Sequence, residues 1–230
     1  MELTFLHRDQ SCVVVNKPSG VIVHRGLAND ADDVMRAVRN RIRMHVYPVH
    51  RLDRGTSGAL VFALSSDSAR VFGKAFEEGR VEKRYWAITR GKPQDGEIDH
   101  AIQNREGGPR VPAVTRVRCL AMNGRYALVE AHPLTGRLHQ VRRHLKHVSC
   151  PIIGDTNYGK GEHNRYFREH YDLHRLALHA ISISFEQPET GERVSVHAPL
   201  EGQLRSTLVA LGFPTGDSAA SDESGAAVCP

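Results

Sequence analysis

Short apolar segments with strand-like alternation recur along most of the chain, and amphipathic helical segments lie between them. A strand turns successive side chains to opposite faces, whereas a helix repeats roughly every 3.6 residues, so the two patterns can be distinguished. No internal repeat accompanies the alternation, and no linker divides it. The pattern predicts one α+β domain with a mainly antiparallel sheet.

The predicted elements cover most of the chain. The predicted strands are residues 3–6, 12–16, 21–24, 59–64, 85–89, 114–120, 126–132, 176–185 and 194–198. Helices are predicted at residues 30–44, from Ser66 or Asp67 to Gly79, at 138–148 and at 202–211. Residues 92–112 are predicted to be a long, partly mobile excursion. We expect the domain to span residues 1–212 and a disordered tail to span 213–230.

Composition excludes several classes of protein. Hydrophobic residues make up 40% of the 230 residues and charged residues 25%, which is typical of a folded domain. No stretch approaches the roughly 18 apolar residues of a membrane-spanning helix, and the N-terminus has no secretory signal. The four cysteines are scattered, with no CxxC pair, which argues against disulfides and predicts a reducing cytoplasm.

The positive charge suggests nucleic acid as a partner. Lys and Arg total 31 against 26 Asp and Glu, a net charge of +5, and most of the cations are Arg. The Arg guanidinium is a planar fork of donors that suits phosphate oxygens and stacks on bases. A bias toward GC-rich codons would give the same ratio, so charge alone leaves both explanations open.

Residues 50–58, HRLDRGTSG, place a carboxylate between two arginines inside a turn. The guanidinium groups of Arg51 and Arg54 favour the ionised form of Asp53. An ionised carboxylate in a turn can act as a nucleophile or an electrostatic stabiliser, and it is a poor general acid. The alternative is a surface ion-pair turn that ends a strand.

Residues 135–145, TGRLHQVRRHL, have the pattern of a basic helix with one apolar face. Leu138, Val141 and Leu145 form that face, and Thr135 is expected to cap the helix and leave backbone N–H groups open toward an anion. The alternative is a solvated basic helix face.

Residues 83–87, KRYWA, carry an aromatic pair beside two cations. Because neighbouring strand residues point to opposite faces, one of Tyr85 and Trp86 is expected in the core and the other on a surface. The alternative is that both rings lie in the core.

Metal binding is considered because the chain has 14 histidines. The densest groups are His139, His144 and His147, and His163, His170 and His174. Neither forms an HExxH motif or includes the Cys ligands of a structural zinc site. We therefore predict no metal site and no cofactor.

Taken together, these segments resemble the RluA-type pseudouridine synthases over about residues 1–212. The HRLDRGTSG segment resembles the signature of the family. The other similar segments, in the order of the family, are NKPSG at 16–20 with Val23 and His24, KRY at 83–85, PAVT at 112–115, TGR at 135–137, HQVR at 139–142, HL at 144–145, PIIGD at 151–155 and LHA at 178–180. The resemblance implies a mainly antiparallel, mixed sheet flanked by helices and loops around a central catalytic cleft.

The resemblance also implies catalytic roles. Asp53 falls on the catalytic aspartate, which acts at the sugar or the uracil ring. Arg142 falls on its arginine partner, and Tyr85 on the tyrosine that packs on the uracil and assists proton removal at C5. The implied reaction breaks the N1–C1′ bond, turns the uracil and rejoins it through C5, without a metal or redox cofactor.

Further residues are implied to bind the substrate. Val141 falls on the apolar residue under the ring, and Arg51 on the arginine that enters the helix space vacated by the flipped base. Arg54 and Thr56 belong to the same signature and are expected to contribute to substrate binding.

The compact chain, the tandem Arg142-Arg143, and the segments 23–25 and 63–66 are most similar to members that modify uridine 65 in the T-arm of tRNA. No N-terminal RNA-binding domain of the S4 type is expected. Alternatives are a large-subunit rRNA or dual-specificity synthase and, in another class, a catalytically inactive RNA-binding protein on this fold. We expect a cytoplasmic monomer that binds RNA, preferably tRNA, with no membrane contact and no obligatory protein partner.

Overall fold

The computed structural model describes residue 1 and residues 3–24, 33–103 and 108–216. The strands in these ranges are β1 (Thr4–Arg8), β2 (Cys12–Lys17), β3 (Tyr47–Pro48), β4 (Ser57–Ala63), β5 (Glu82–Arg90), β6 (Gly96–Asp99), β7 (Ile102–Gln103), β8 (Arg110–Val111), β9 (Val114–Asn123), β10 (Tyr126–Pro133), β11 (Leu178–Glu186) and β12 (Arg193–His197). The helices are α1 (Val34–Ile42), α2 (Ser66–Glu77), α3 (Gln140–His147), α4 (Gly161–Tyr171) and α5 (Gly202–Ala210).

One mixed sheet dominates the fold. Its strands lie in the order β1-β2-β4-β11-β5-β10-β9-β6, with β3 beside β4 and β12 beside β11. Among the described strands, β4 and β11 form the only parallel pair, and β7 and β8 form a separate hairpin. The prediction of an α+β fold with a mainly antiparallel sheet is confirmed.

The strands β2 and β4 are buried on both faces. Every residue of both strands is buried, which explains why the segment at 59–63 is apolar without alternation. One face, with Val13, Leu60 and Phe62, packs against α1. The opposite face, with Cys12 and Val61, packs against α2.

The other half of the sheet packs against α3, α4 and α5. Its core contains Ile88 from β5, Leu128 from β10 and Phe167 from α4. Phe213 was assigned to the tail from the sequence, but it is buried in this core because its large apolar ring covers the sheet. Residues 217–230 of the expected tail lie outside the described residues.

The predicted strand at residues 21–24 is wrong. Only Ile22 forms a bridge, to Asp33. The carbonyl oxygens of Ile22 and Val23 instead accept hydrogen bonds from the first turn of α1, at Val34 and Met35. The segment thus accepts hydrogen bonds from the N-terminus of α1 and does not pair with a strand along its length. The helix itself begins at Val34 with Asp33 as its N-cap; residues 25–32, which include Arg25 and the expected helix start, lie outside the described residues.

Two further differences concern regular structure that the sequence hides. Helix α4 was not predicted, because its segment GEHNRYFREHY is mostly polar and buries few side chains, with Phe167 as its main apolar anchor. The excursion at 92–112 contains β6, which pairs with β9, and the β7–β8 hairpin, whose tip at 104–107 lies outside the described residues.

Helix α2 is capped by Ser65, one residue before the expected cap. Within the described ranges, every helix is too short or too polar to cross a lipid bilayer.

Candidate active site

A cavity of about 620 Å³ opens between the loop that precedes β4 and the segment that leads into α3. Six of the seven predicted site residues line it: Arg51, Asp53, Thr56, Tyr85, Val141 and Arg142. Arg54 is the exception. Its Nε donates to the carbonyl oxygen of Gly20 at 2.9 Å, so it ties the Asp53 loop to the turn at 18–20 and does not line the cavity.

The loop that carries Asp53 leads into β4, at the point where β4 lies very close to its parallel neighbour β11. Gly58 lies directly against β11, and a Cβ atom there would be 2.2 Å from the carbonyl oxygen of Ala180. Gly58 also has φ of 115°, a conformation that side chains other than glycine disfavour. The signature therefore needs a glycine at this position so that β4 and β11 can pair beneath the cavity.

A buried lysine holds this loop from below. The Nζ atom of Lys17 donates to the carbonyl oxygens of Pro18 at 2.8 Å, Arg54 at 3.2 Å and Thr56 at 2.8 Å. Burial, followed by the nearby Arg175 guanidinium, lowers the pKa of Lys17 to about 7. The three carbonyl oxygens match the three donors of an ammonium group, so the NKPSG segment fixes the backbone of the loop that carries Asp53.

Asp53 is paired with Arg142 as the resemblance implied. The Arg142 Nη1 atom donates to Asp53 Oδ2 at 2.9 Å, across 89 residues of sequence. The Nε and Nη2 atoms of Arg142 donate to the two oxygens of Asp155 at 2.8 and 2.9 Å. The Asp53 side chain is 18% exposed and that of Asp155 is 0% exposed. One carboxylate is thus open to the cavity, and the other anchors the arginine from behind.

The charges of this cluster support one another. Burial alone would lower the pKa of Arg142, but its hydrogen bonds to Asp155 and Asp53 outweigh this and raise it. Burial alone would raise the pKa of Asp155, whereas the hydrogen bonds from Arg142 and from the Tyr158 backbone lower it. Arg142 is therefore a permanent cation that faces Asp53.

Tyr85 and Val141 are part of the apolar lining of the cavity. Tyr85 is half-buried and packs against both halves of the core, and Val141 is buried at the start of α3. Burial and the charge of Asp53 raise the pKa of Tyr85. Its hydroxyl is accordingly a neutral phenol at physiological pH and a poor base. Trp86, on the opposite face of β5, also packs against the core, so both rings are partly buried.

The start of α3 differs from the prediction that Thr135 caps the helix. The helix begins at Gln140, and His139 is its N-cap residue, without a side-chain capping bond. Thr135 is too early in the chain to reach the free N–H groups of the helix; its hydroxyl donates to Gln140 Oε1 at 2.6 Å instead. The Gln140 Nε2 atom then donates to the Val114 carbonyl oxygen at 2.9 Å, which joins the helix start to β9.

Three residues of the site were not assigned from the sequence. The His139 Nε2 atom lies 3.7 Å from Asp53 Oδ1, and its Nδ1 atom is 3.0 Å from the Tyr158 hydroxyl. Asp155 is the buried partner of Arg142. A signal for Asp155 exists: a buried guanidinium needs a second acceptor, and the PIIGD segment ends in a carboxylate. No sequence pattern indicated Tyr158.

A different group of residues is the only cluster of three or more potential metal ligands in the described part of the chain. The ligand atoms of His7, Asp9 and Cys12 lie within 4.8 Å of one another. Asp9 Oδ1 accepts the backbone N–H groups of Ser11 and Cys12, so the carboxylate already caps the β1–β2 turn. Burial raises the pKa of the Cys12 thiol, which keeps it protonated. Within the same described ranges, neither of the histidine groups considered from the sequence converges.

Comparison with known proteins identifies the class to which this fold and cavity belong. Residues 11–147 match the sequence profile of a family described as RNA pseudouridylate synthase. The chain belongs to this family and is an isomerase that acts on RNA. Human RNA pseudouridylate synthase domain containing 4 has a similar structure, with a TM-score of 0.75 and 28% identity over 91% of this chain and 93% of the human chain.

Two bacterial proteins with the same name are more similar to this chain in sequence than the human protein is. A protein of Haemophilus ducreyi named tRNA pseudouridine synthase C is 40% identical over 93% of this chain and 97% of its own length. A protein of Vibrio parahaemolyticus with the same name is 40% identical over 87% of this chain and 92% of its own length.

Proposed function

We propose that this protein converts a uridine of tRNA into pseudouridine, at position 65 of the T-arm, with Asp53 as the catalytic carboxylate. The observation that carries the proposal is the Asp53–Arg142 pair at the wall of a cavity large enough for a nucleotide. The names of the bacterial relatives support tRNA as the substrate. Position 65 rests on the similarity of the sequence motifs.

The proposed reaction is balanced without an external reactant. The N1–C1′ bond breaks with its electrons remaining on the uracil, and the ionised Asp53 stabilises or traps the electron-deficient sugar. The uracil turns, C5 bonds to C1′, a proton leaves C5, and N1 gains a proton. Arg142 keeps the Asp53 carboxylate oriented throughout, since its guanidinium is itself fixed by Asp155.

The cavity walls fit a flipped base. Tyr85 and Val141 offer an aromatic and an aliphatic surface to the two faces of a uracil ring. Because Tyr85 is a neutral phenol, we propose that it holds the ring and that it is not the base at C5. Arg51 is exposed at the cavity, where its side chain can enter the space left by the base. Thr56 is buried beneath the loop and orders it through its backbone.

The matched experiment changes one carboxylate at a time. Asp53→Asn keeps the size of the side chain and removes its charge, so pseudouridine formation on unmodified tRNA should be lost while tRNA affinity stays within about threefold. Asp67→Asn, on the exposed start of α2, is the control and should retain full activity. Measurable turnover by pure Asp53→Asn protein would show that Asp53 is not the catalytic group.

The choice of RNA needs a separate test. Purified protein is incubated with folded tRNAs, with a linear T-arm oligonucleotide and with large-subunit rRNA fragments, and modified positions are mapped. Readout of base edges in the deep groove of an RNA helix is difficult, so folded tRNA should be the best substrate. Modification of rRNA alone would leave the family assignment intact and overturn the tRNA assignment. An active wild-type protein also excludes the inactive RNA-binding alternative.

We further propose that the protein works in the cytoplasm as a monomer, with no obligatory protein partner. Cys12, Cys119 and Cys150 are free thiols, which suits a reducing compartment. The cavity is formed within one chain, from residues that a second copy need not supply.

A further inference from the structure

The two oxygens of the Asp53 carboxylate have different neighbours. Oδ2 accepts the hydrogen bond from Arg142, as described above. Oδ1 faces the imidazole of His139, with 3.7 Å between Oδ1 and Nε2. This oxygen is therefore the one left available at the cavity, and His139 is the side chain that limits where it can lie.

The imidazole of His139 is itself held in place. Its Nδ1 atom is 3.0 Å from the hydroxyl oxygen of Tyr158. The negative charge of Asp53 favours the tautomer with the ring proton on Nε2, and the Tyr158 hydroxyl is then the donor to Nδ1. Burial lowers the pKa of His139, so the neutral imidazole with this single proton is the form present at neutral pH.

Tyr158 is fixed from the opposite side of the cluster. Its backbone N–H donates to Asp155 Oδ1 at 3.0 Å, and its ring lies 5.1 Å from the Cζ atom of Arg142. The contacts therefore form a closed circuit that starts and ends at the catalytic carboxylate. Its members, in order, are Asp53, Arg142, Asp155, Tyr158 and His139.

The backbone of His139 gives an independent sign of function. His139 has φ of 53° and ψ of 28°, in the left-handed region that residues other than glycine seldom adopt. It is the N-cap residue of α3, yet its side chain makes no capping bond to the helix. A helix N-terminus alone would favour Ser, Thr, Asp or Asn here. The strained conformation instead directs the ring toward Asp53 and Tyr158.

We propose that His139, held by Tyr158, is a positioning residue that confines Oδ1 of Asp53 and so presents the carboxylate to the nucleotide in one orientation. The inference rests on the proposed function of Asp53 and deepens it. The 3.7 Å separation is longer than a hydrogen bond, which leaves Oδ1 free to reach the sugar, while the positive end of the Nε2–H group attracts Oδ1 to this side of the cavity. Loss of this group should slow the chemical step more than it weakens RNA binding.

Two substitutions at one position separate the N–H group from the ring. His139→Phe keeps a planar ring and removes the donor, whereas His139→Gln replaces the donor with an amide N–H. We expect His139→Phe to lower kcat about tenfold or more with KM for tRNA changed by less than about twofold, and His139→Gln to restore most of the rate. The control is His174→Phe, because His174 pairs with Asp172 in an exposed site away from the cavity and should keep the wild-type kcat.

The role of Tyr158 is tested by a double-mutant cycle. Tyr158→Phe removes the hydroxyl that orients His139 and should give a smaller loss of kcat than His139→Phe. Because both residues act through the same oxygen, the double variant should be no slower than His139→Phe alone. Thermal unfolding of every variant is measured alongside.

The outcomes are distinguishable. A wild-type kcat in His139→Phe, failure of Gln to restore the rate, or additive losses in the double variant would each overturn the positioning role while the wild-type protein remains active. A fall in kcat that follows a matching fall in thermal stability would assign His139 to structure alone. Lack of pseudouridine formation by wild-type protein on any RNA would instead overturn the proposed function and this inference with it.

Discussion

The guanidinium of Arg142 is shared between two carboxylates that do different work. Asp155 is fully buried and takes the Nε and Nη2 edge of the guanidinium, which leaves the Nη1 end for Asp53. This arrangement depends on the planar fork of arginine, since an ammonium group cannot bind one carboxylate through two parallel bonds while it donates sideways to another. The Asp53–Arg142 pair thus depends on the planar shape of the guanidinium as well as on its charge.

Arg142→Lys should therefore fail although it conserves the charge. We expect turnover to fall about 100-fold or more, because Asp53 loses the donor that orients it, while tRNA affinity changes by less than about threefold. Single-turnover rates and filter binding measure the two effects. Arg143→Lys is the neighbouring control: Arg143 donates to the Gln103 carbonyl oxygen and not to Asp53. Equal losses in both variants would contradict the prediction.

Lys17 is the residue on which the backbone of the Asp53 loop depends. Lys17→Met fills the same space but removes three hydrogen bonds, one of them the buried bond to the Thr56 carbonyl oxygen, and we expect a loss of about 2–4 kcal/mol in the free energy of unfolding. Urea denaturation measures this, with the exposed Lys74→Met as control. A loss below about 0.5 kcal/mol would mean that water replaces the ammonium group.

Individual residues differ in how far the sequence predicts them. Asp53, Arg142 and Tyr85 belong to long motifs whose residue types are explained by chemistry, and the structure brings them to one cavity. The prediction that Thr135 caps α3 is wrong. His139, whose backbone is in the left-handed region, is the N-cap residue, so the helix begins later than the amphipathic pattern indicates. Such a conformation depends on tertiary contacts, and these cannot be predicted from the composition of the local segment.

At the scale of elements, α1 presents arginines of two kinds. Arg39 is half-buried, and its Nη2 donates to the Val46 carbonyl oxygen at 3.0 Å, so it ties the end of the helix to the following loop. Arg41 and Arg43 are exposed. The sequence alone does not distinguish Arg39 from Arg43, because burial of a side chain by the loop after the helix leaves no periodic pattern.

Removal of the exposed charges of α1 should weaken RNA binding without loss of stability. For Arg41→Gln and Arg43→Gln together, we expect the salt dependence of tRNA affinity to flatten by about one unit of slope for each phosphate that the variant no longer neutralises. Titrations at several salt concentrations measure the slope. Arg39→Gln should instead lower the melting temperature. An unchanged slope in the double variant would remove α1 from the RNA surface.

Elements with weak patterns were the ones missed. Helix α4 buries only a few side chains, and the β7–β8 pairing joins two-residue strands, so neither produces a period long enough to detect. Conversely, the apolar segment at 21–24 looks like a strand, but its carbonyl groups are taken by α1. Hydrogen-bond competition of this kind appears only when the chain is folded.

At the scale of the whole molecule, β11 joins the two halves of the core, and His179 sits at the join. The Ser57 hydroxyl lies 2.7 Å from His179 Nδ1, and His179 Nε2 lies 3.0 Å from the Ala198 carbonyl oxygen. Burial lowers the pKa of His179 to about 4. Burial also lowers the pKa of His50, which accepts the Val61 N–H, to about 3.

Stability should consequently fall as the solution is acidified below about pH 6.5. Both histidines are neutral in the folded protein and gain a proton near pH 6.5 when unfolded, so the stabilisation is complete above that pH and is lost as pH falls toward 4. Each can contribute up to about 1.4 kcal/mol per pH unit. Urea unfolding between about pH 7 and 4.5 measures the slope.

The matched variants assign that slope. His179→Gln should make it shallower by the equivalent of about one proton, whereas the exposed His174→Gln should leave it unchanged. An identical slope in wild type and His179→Gln would show that other groups govern the acid sensitivity.

The position of β11 also has a consequence for how the enzyme is made. Ribosomes synthesise β4 and β5 first, yet these strands are separated in the sheet by β11, which begins at Leu178. Until that segment emerges, β4 and β5 lack the strand that lies between them. The Asp53 loop then also lacks the pairing of Gly58 with Ala180. A nascent chain that ends before Leu178 carries Asp53, Tyr85 and Arg142 without the strand that supports them, and we expect it to be inactive on RNA until β11 has emerged.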